Sequence, residues 1–285
     1  MRLPISGLEV TFRLPNGHDD LAILEAGSGI SRNNRADPRG RESQATTLEC
    51  ALDALSRLAK VRPPADESSD ATTNESIWLS LTITDFESAL LGLRSFLFGD
   101  TVRCIVRCVC TERMEIDFSI AHLLREAHPR APRSVQPSIT RPGWFGLHHK
   151  QLQPGTLTIF RLPTVEDQLV ALRSPNPYEV LQERCIESGQ PARRATASAE
   201  HAMESMSPTV SRPIDGVCAA CGAALNPQLH VSSLVLDELR ASAASMHSEI
   251  HAIAATYHWD ESAILAMPQV RRMAYSDAIH QAGSQ

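Results

Sequence analysis

The spacing of apolar positions predicts a helix in the first half of the chain. Between residues 85 and 98 these positions recur at helical spacing, as Phe86, Leu90, Leu93 and Leu97. Thr84 and Glu87 have the spacing of a capping box, and Gly99 is a typical helix stop. The pattern therefore predicts a helix over 85–98 that starts near Thr84 and ends at Gly99.

Other segments predict short strands and further helices. Alternating apolar residues over 102–110 and 114–118 predict two strands around a cysteine-bearing turn, and 120–126 has a helical pattern. In the second half, 177–186 predicts a helix and 233–256 a long one, with a short strand around residues 229–231. The predicted fold class is α+β, with two related modules of short strands, cysteine turns and helices, ending in a small helical subdomain.

An internal repeat links the two halves. Residues 7–24 align without a gap on residues 155–172, at an offset of 148, with 8 identities in 18 positions. The identical residues include the consecutive run Phe12-Arg13-Leu14-Pro15, which matches Phe160-Arg161-Leu162-Pro163. Each copy predicts a strand, a proline corner that ends it, and a helix capped by Asn16 or Thr164.

The repeat and the proline-rich stretches suggest domain boundaries. We expect a first module at 1–127, a linker at 128–154 that contains five prolines, and a second module at 155–285. The helical ending of the second module covers about 233–281. The polar stretches 27–45 and 61–76 predict loops or disorder, because they contain little apolar surface to bury.

Composition narrows the function classes. The 285 residues contain 27 Lys and Arg against 33 Asp and Glu, a net charge of -6, which gives no reason to expect nucleic acid as a partner. No apolar run approaches the ~20 residues of a membrane helix, and the chain start lacks the apolar segment of a secretory signal. We therefore expect a soluble, cytoplasmic protein without membrane contact. Seven cysteines fit a reducing compartment and a metal or redox role.

Cysteine spacing predicts a candidate structural zinc site. Cys218-Ala219-Ala220-Cys221-Gly222 has the spacing of a zinc knuckle, in which Gly allows the positive φ of the turn. The first half offers Cys108 and Cys110 in a turn that is one residue shorter. If the two halves pack together, these two turns can share one zinc ion held by four thiolates. Alternatively, Cys185 or His230 completes a site, or the thiols only fill buried space.

Enzymatic motifs are weak in this sequence. His247 and His251 share one face of a helix, but Glu249 stands one position later than in the zinc-protease motif. We find no phosphate-binding loop, dinucleotide fingerprint or nucleophile elbow, and we assign no catalytic residue. The alternative hypothesis is a zinc enzyme that uses Cys218, Cys221 and one of the two histidines.

The C-terminal residues combine aromatic and basic side chains. Tyr257 and Trp259 follow an amphipathic helix, and a last helix carries Arg271, Arg272 and Tyr275. Aromatic side chains beside arginine are typical of protein-interface hot spots. The same residues can instead form a small helical hairpin packed around Trp259.

Several segments together resemble a known family. Residues 249–275 resemble the ending of baseplate or hub-assembly proteins from contractile phage tails and related contractile injection systems, whose pattern is Glu-Val-His, Leu-Ala, Tyr-Gly-Trp, an acidic pair, Ile-Leu, Arg-Arg and Tyr-Leu. Residues 90–99 resemble the segment before the first cysteine turn in the two-module members of that family. Residues 183–185 and 218–222 resemble its Glu-Arg-Cys and Cys-Pro-x-Cys-Gly steps.

The resemblance implies a non-enzymatic structural or assembly role. It implies baseplate, hub or spike subunits as partners and the bacterial cytoplasm as the place of assembly. The residues of the ending that would meet a partner are His251, Tyr257, Trp259, Arg271, Arg272 and Tyr275. The chain departs from the family pattern at the first cysteine turn, which lacks Cys-x-x-Cys-Gly, at Ala219 in place of Pro, and at His258 in place of Gly.

Overall fold

The computed structural model describes residues 1–33, 41–62, 74–149, 157–187 and 193–283. Short antiparallel strands form small sheets between helices, and the last described residues are helical. This arrangement confirms the predicted α+β class with a helical ending.

The elements of the described residues follow in chain order. The strands are β1 (Glu9–Phe12), β2 (Ala59–Arg62), β3 (Thr101–Arg107), β4 (Arg113–Ser119), β5 (Val135–Pro137), β6 (Trp144–His148), β7 (Leu157–Arg161), β8 (Gly216–Val217) and β9 (Ala224–Leu225). The helices are α1 (Gly17–Asn33), α2 (Arg41–Leu58), α3 (Asn74–Ser80), α4 (Ile83–Phe98), α5 (Ile120–Glu126), α6 (Val165–Leu172), α7 (Pro177–Cys185), α8 (Arg193–Met206), α9 (Val231–Ala243), α10 (Met246–Tyr257), α11 (Glu261–Leu265) and α12 (Gln269–Gly283). The sheets pair β1 with β2, β3 with β4, β8 with β9, and β5, β6 and β7 in that order.

The chain divides into two compact units along a different line from the predicted modules. The first unit contains residues 1–10 and 61–231, and the second contains residues 11–60 and 232–285. The predicted linker is not a separate segment, because β5 and β6 form a sheet with β7. Leu147 of β6 and Phe160 of β7 belong to one buried cluster, so part of this proline-rich stretch contributes to a hydrophobic core.

Helix α4 lies in the core of the first unit, and nearly all of its surface is buried from Thr84 to Arg94. Its N-cap is Thr82, whose hydroxyl accepts from the Asp85 N–H at 3.3 Å. The predicted capping box at Thr84 and Glu87 is therefore wrong. The hydroxyl of Thr84 instead donates to the Pro208 carbonyl at 2.7 Å. Its end at Gly99, with φ 86°, is as predicted.

Two buried carboxylates of α4 hold irregular backbone. Asp85 accepts the N–H groups of Ile5 and Ser6, each at 2.8 Å. Glu87 accepts the Val210 N–H at 2.6 Å and the Ser211 hydroxyl at 2.5 Å. Buried carboxylates are tolerated when hydrogen bonds replace their hydration, so these contacts fix two loops against the helix.

The two copies of the repeated segment have the same local structure. Arg13 donates to both carboxylate oxygens of Asp19 at 2.7 and 2.8 Å, and Asp19 accepts the Asn16 N–H at 2.9 Å. In the second copy, Arg161 and Asp167 make the equivalent pair at 2.5 and 2.8 Å. The predicted cap at Thr164 is a complete capping box with Asp167.

The second copy is more deeply buried than the first. Arg184 adds a third guanidinium contact to Asp167 at 2.6 Å, and the Asp167 side chain is fully buried. Burial alone would raise the pKa of Asp167, but the hydrogen bonds from Arg161, Thr164 and Arg184 outweigh it and hold this pKa well below its usual range. The arginine pair therefore keeps the carboxylate charged inside the core.

The second unit combines residues 11–60 with residues 232–285. Ile253, Ile264 and Met267 form its buried C-terminal cluster. Gly17 at the start of α1 approaches Leu265 so closely that a Cβ atom would lie 2.8 Å from the Leu265 Cα. Glycine is therefore required where α1 meets α11.

Three sequence predictions need correction here. The helix predicted over 233–256 is two helices, α9 and α10, and Ser245 occupies the N-cap position of α10 without a side-chain capping hydrogen bond. The stretch 27–45 contains the end of α1 and the start of α2, and 34–40 lies outside the described residues. Residues 229–231 form no strand, and the strands near the second cysteine turn are β8 and β9.

Candidate metal centre

Two tight turns in the first unit carry the cysteines. The first turn joins β3 to β4 and contains Cys108 and Cys110, and the second joins β8 to β9 and contains Cys218 and Cys221. β3 and β4 pair in regular antiparallel register over seven residues each, up to the residues that flank the first turn. The hairpins thus present both turns on paired strands, which limits the freedom of the thiols.

Each turn closes with the same kind of hydrogen bond. The Cys108 N–H donates to the Glu112 carbonyl at 2.9 Å, and the Cys218 N–H donates to the Ala223 carbonyl at 2.8 Å. In both cases the residue after the turn accepts from the first cysteine. The two hairpins therefore orient their first cysteine in the same way, although the sequences between the cysteines differ.

The residue after the second cysteine of each turn is left-handed. Thr111 has φ 73° and its N–H donates to the Cys108 carbonyl at 2.9 Å. Gly222 has φ 72° and its N–H donates to the Cys218 carbonyl at 2.9 Å. Gly adopts this conformation freely, whereas a β-branched residue does so at a cost, so the first turn is strained at Thr111.

The four sulfur atoms converge. The Sγ atoms of Cys108 and Cys221 are 3.6 Å apart, and those of Cys110 and Cys218 are 3.8 Å apart. All four ligand atoms lie within 4.8 Å of one another, and no disulfide joins them. Each close pair takes one cysteine from each turn. The structure thus brings together the four cysteines that the sequence predicts as one group.

The separations of the sulfur atoms fit a tetrahedral metal ion. A Zn–S bond of about 2.3 Å in tetrahedral geometry places neighbouring sulfur atoms about 3.8 Å apart. Cys108 and Cys218 are buried, with Met114, Ala223 and Leu225 packed against the group. Soft thiolate ligands select zinc and related ions over magnesium or calcium. Cys108, Cys110, Cys218 and Cys221 therefore form a possible metal-binding site whose donors are all thiols.

The thiols interact strongly with one another. Backbone N–H groups of Cys221 and Ala220 donate to the Cys218 sulfur and lower the pKa of this thiol to about 7. The Ala223 N–H favours the Cys221 thiolate, but the sulfur atoms of Cys110, Cys108 and Cys218 raise the pKa of Cys221 to about 12. Negative charge at one sulfur therefore opposes ionisation of its neighbours, a repulsion that a bound cation would relieve.

The other predicted ligands lie elsewhere in the structure. Cys185 is buried with its sulfur 3.8 Å from Asp167, and burial raises its pKa to about 11. Such a thiol is inert and belongs to the arginine–carboxylate pair. His230 is exposed, and it is not among the residues that surround the thiols. Within the described residues, the cysteine group is the one cluster with metal-ligand geometry.

An aromatic cluster lies on the surface of the second unit. Tyr257 and Trp259 stack with ring centroids 5.2 Å apart, and Tyr275 meets both rings edge-on at 5.7 and 5.2 Å. The left-handed His258, with φ 56°, ends α10 and turns the chain between the stacked rings. Trp259 remains 37% exposed, and the Arg271 guanidinium lies 5.8 Å from the Tyr275 ring. The predicted cluster is therefore packed within itself and also open to solvent.

Arg272 does not belong to that surface. It is fully buried, where it donates to Asp20, to Glu249 at 3.3 Å and to the Met267 carbonyl at 2.9 Å. Burial raises the pKa of Asp20, and the Arg272 guanidinium opposes this shift. The prediction that Arg272 binds a partner is therefore wrong. Arg272 instead forms a buried ion pair network that connects α12 to Asp20 of α1 and Glu249 of α10. The sequence gives no period or motif that marks Asp20 as its partner.

The histidine-based site has no support in the second unit. His247 and His251, which the i, i+4 spacing places on one face of α10, are both exposed. Glu249, the candidate general base, is buried and accepts hydrogen bonds from Arg272 and Ser245. A carboxylate that is held in a buried ion pair cannot take a proton from a metal-bound water without breaking that pair.

Comparisons with protein-family models, curated proteins and solved structures found no match for this chain. In the described part of the chain, none of the helices has both the length and the apolar character needed to cross a membrane.

Proposed function

We propose that the protein is a non-enzymatic assembly component of a contractile tail or injection-system baseplate, in which one structural zinc ion ties its two cysteine turns together. The observation that carries the metal part is the convergence of four Sγ atoms at separations of 3.6 to 3.8 Å between paired cysteines. The assembly part depends on the sequence resemblance and on the exposed aromatic cluster.

The ligand set favours a structural role for the metal. A catalytic zinc ion keeps one coordination position for water or substrate, whereas four thiolates fill a tetrahedral ion. Cys108 and Cys221 are separated by 113 positions in sequence. One bound ion would therefore cross-link two segments that are far apart along the chain. The ion would contribute folding free energy and no reaction chemistry.

The aromatic cluster is the proposed partner surface. Tyr257, Trp259 and Tyr275 are held in fixed positions by ring contacts, so little conformational entropy is lost when a partner covers them. Arg271 and His251 are exposed in the same unit. Aromatic side chains beside arginine carry much of the binding free energy in many interfaces. The partners would be baseplate, hub or spike subunits present in the bacterial cytoplasm during assembly.

Metal analysis tests the first part of the proposal. Protein purified without chelator should contain one zinc ion per chain, and Cys110→Ser and Cys218→Ser should each remove it. Cys104→Ser is the matched control, because Cys104 lies on β3 in the same hairpin but outside the sulfur group. Zinc-free protein that folds equally well, or a loss of zinc in the control alone, would contradict a tetrathiolate site.

Co-expression with neighbouring operon products tests the second part. We expect the chain to elute with a baseplate, hub or spike subunit on size exclusion, and Trp259→Ala with Arg271→Ala to weaken that complex roughly tenfold or more. Tyr178→Ala with Arg103→Ala is the matched control, since both side chains are exposed in the first unit. Elution of the wild-type chain alone from such a mixture would refute the assembly role.

A further inference from the structure

The charge of the chain is unevenly distributed. Residues 118–165 contain six Lys or Arg and a single acidic residue, Glu126, a net charge of +5. The rest of the chain contains 21 Lys and Arg against 32 Asp and Glu, a net charge of -11. A local excess of positive charge in a protein with a negative net charge indicates a region that attracts anionic groups.

The structure places part of this excess on one short exposed segment of the first unit. Arg125 is in the last turn of α5, and His128, Arg130 and Arg133 lie in the connection to β5. All four side chains are exposed, and we call them the basic face. Their backbone is fixed, because the Arg130 N–H donates to the Ser205 carbonyl at 2.8 Å and the Ser205 hydroxyl donates back to the Arg130 carbonyl at 2.8 Å.

The guanidinium groups of the basic face make no ion pair within 4 Å in the described part of the chain. The neighbouring carboxylate of Glu126 is already paired with Arg212. Other arginines of the same stretch are neutralised, since Arg141 pairs with Glu187 at 2.8 Å and Arg161 pairs with Asp167. Arg125 interacts electrostatically with the Asp100 carboxylate, whereas Arg130 and Arg133 keep positive charge that no ion pair within the described residues neutralises.

We propose that the basic face binds an acidic segment of a protein partner. Arginine presents paired N–H donors that match a carboxylate, and the fixed backbone limits the entropy lost on binding. A short acidic segment meets only the local charge, because the remainder of the surface is screened beyond about 8 Å at physiological salt. The basic face belongs to the first unit and the aromatic cluster to the second, and the inference does not depend on the proposed function.

A nucleic acid fits this surface less well than a protein. An extended polyanion would reach beyond the basic face, and the chain outside residues 118–165 has a net charge of -11. Binding of single strands also uses aromatic side chains on which bases stack. Trp144, the tryptophan in the same stretch, already lies beneath Arg141 at 5.2 Å and near Arg161 at 6.0 Å. These charges and contacts favour a carboxylate-bearing peptide.

Fluorescence anisotropy with three probes tests the inference on the full-length, zinc-supplemented chain. The probes are a labelled 16-residue peptide with eight glutamates, the same peptide with glutamine at those positions, and a single-stranded 16-mer DNA. We expect the glutamate peptide to bind, the glutamine peptide to fail, and affinity to fall as NaCl rises from 25 to 200 mM. The triple variant Arg125→Gln, Arg130→Gln and Arg133→Gln should lose roughly tenfold in affinity.

The matched control separates a local surface from net charge. Arg62→Gln, Arg103→Gln and Arg107→Gln remove the same three charges from exposed positions elsewhere in the first unit and should leave affinity within about twofold. If the triple variant unfolds, Arg130→Gln with Arg133→Gln replaces it, because both side chains are exposed and neither makes an ion pair within the described residues. Equal loss in both variants, tighter binding of DNA, or no binding of the glutamate peptide would each overturn the inference.

Discussion

The two cysteine turns reach one hydrogen-bonded shape with different numbers of residues. The first turn has one residue between its cysteines and closes with an i to i+3 bond from Thr111 to Cys108. The second has two residues between its cysteines and closes with an i to i+4 bond from Gly222 to Cys218. In both turns the residue after the second cysteine, Thr111 or Gly222, has a φ of 72° to 73°. The direction of the backbone is thus preserved although the spacing of the thiols is not.

The two turns differ in backbone strain at the residue that follows the second cysteine. Gly222 is left-handed at no steric cost, and a Cβ added there would meet no atom within 4 Å. Thr111 adopts the same conformation with a β-branched side chain, which ordinarily avoids it. A strained residue persists only when the surrounding structure requires it. The first turn is therefore the one that needs an outside constraint, and the proposed zinc ion would supply it.

Of the changes that test this comparison, metal removal should have the largest effect on the stability of the first unit. We expect chelation to lower the free energy of unfolding of the first unit by at least about 4 kcal/mol when free zinc had exceeded its Kd a thousandfold. Tryptophan fluorescence in a Trp259→Phe background measures this, because Trp78 and Trp144 both lie in the first unit. Cys108→Ser should reproduce the loss even though its turn has one residue fewer between the cysteines than the second turn.

The control for this prediction is again Cys104→Ser, which should keep its zinc and lose far less stability. If Cys108→Ser keeps its zinc while Cys218→Ser loses it, then the short turn does not ligate and the two turns are not equivalent. Identical denaturation curves with and without chelator would show that no metal ion contributes to the stability of the first unit.

Gly222→Ala should have an intermediate effect. Because an added Cβ meets no atom, its cost comes from the left-handed backbone alone, about 1 kcal/mol of unfolding free energy. Gly143→Ala is the matched control, since Gly143 has φ 79°, lies in the same unit and also has nothing within 4 Å. Both variants should lose similar stability, but only Gly222→Ala should release zinc faster to a chromogenic chelator. Equal release rates would show that the turn geometry does not control the metal.

Local patterns in the sequence predicted the parts of the fold that depend on neighbouring residues. The helix at 85–98, the capping box at Thr164 and the strands around Cys108 all depend on residues a few positions apart. The convergence of Cys108 and Cys110 with Cys218 and Cys221 was one of the predicted arrangements, because two thiols at knuckle spacing need further ligands from elsewhere in the chain.

Long-range pairing was beyond the same reasoning. The repeat has an offset of 148, whereas the cysteine turns lie 110 residues apart, so the repeat does not align them. Arg272 was assigned to the partner surface because arginine beside aromatic side chains is typical of interface hot spots, yet Asp20 and Glu249 pair with it in the core. Such a buried network depends on packing between segments 252 positions apart, and no local pattern indicates it.

The smallest predicted effect tests whether the strain at Thr111 is real. Thr111→Gly should raise the free energy of unfolding of the first unit by about 0.5 to 1 kcal/mol, because relief of the left-handed strain exceeds the entropy that glycine adds to the unfolded chain. Thr111→Ala is the control, since it removes the β-branch but keeps a Cβ at φ 73° and should recover only part of the gain. Fluorescence-monitored denaturation in the Trp259→Phe background resolves the three proteins. If Thr111→Gly is less stable than the wild type, the threonine side chain makes a contact worth more than its backbone costs, and the two turns differ in packing as well as in strain.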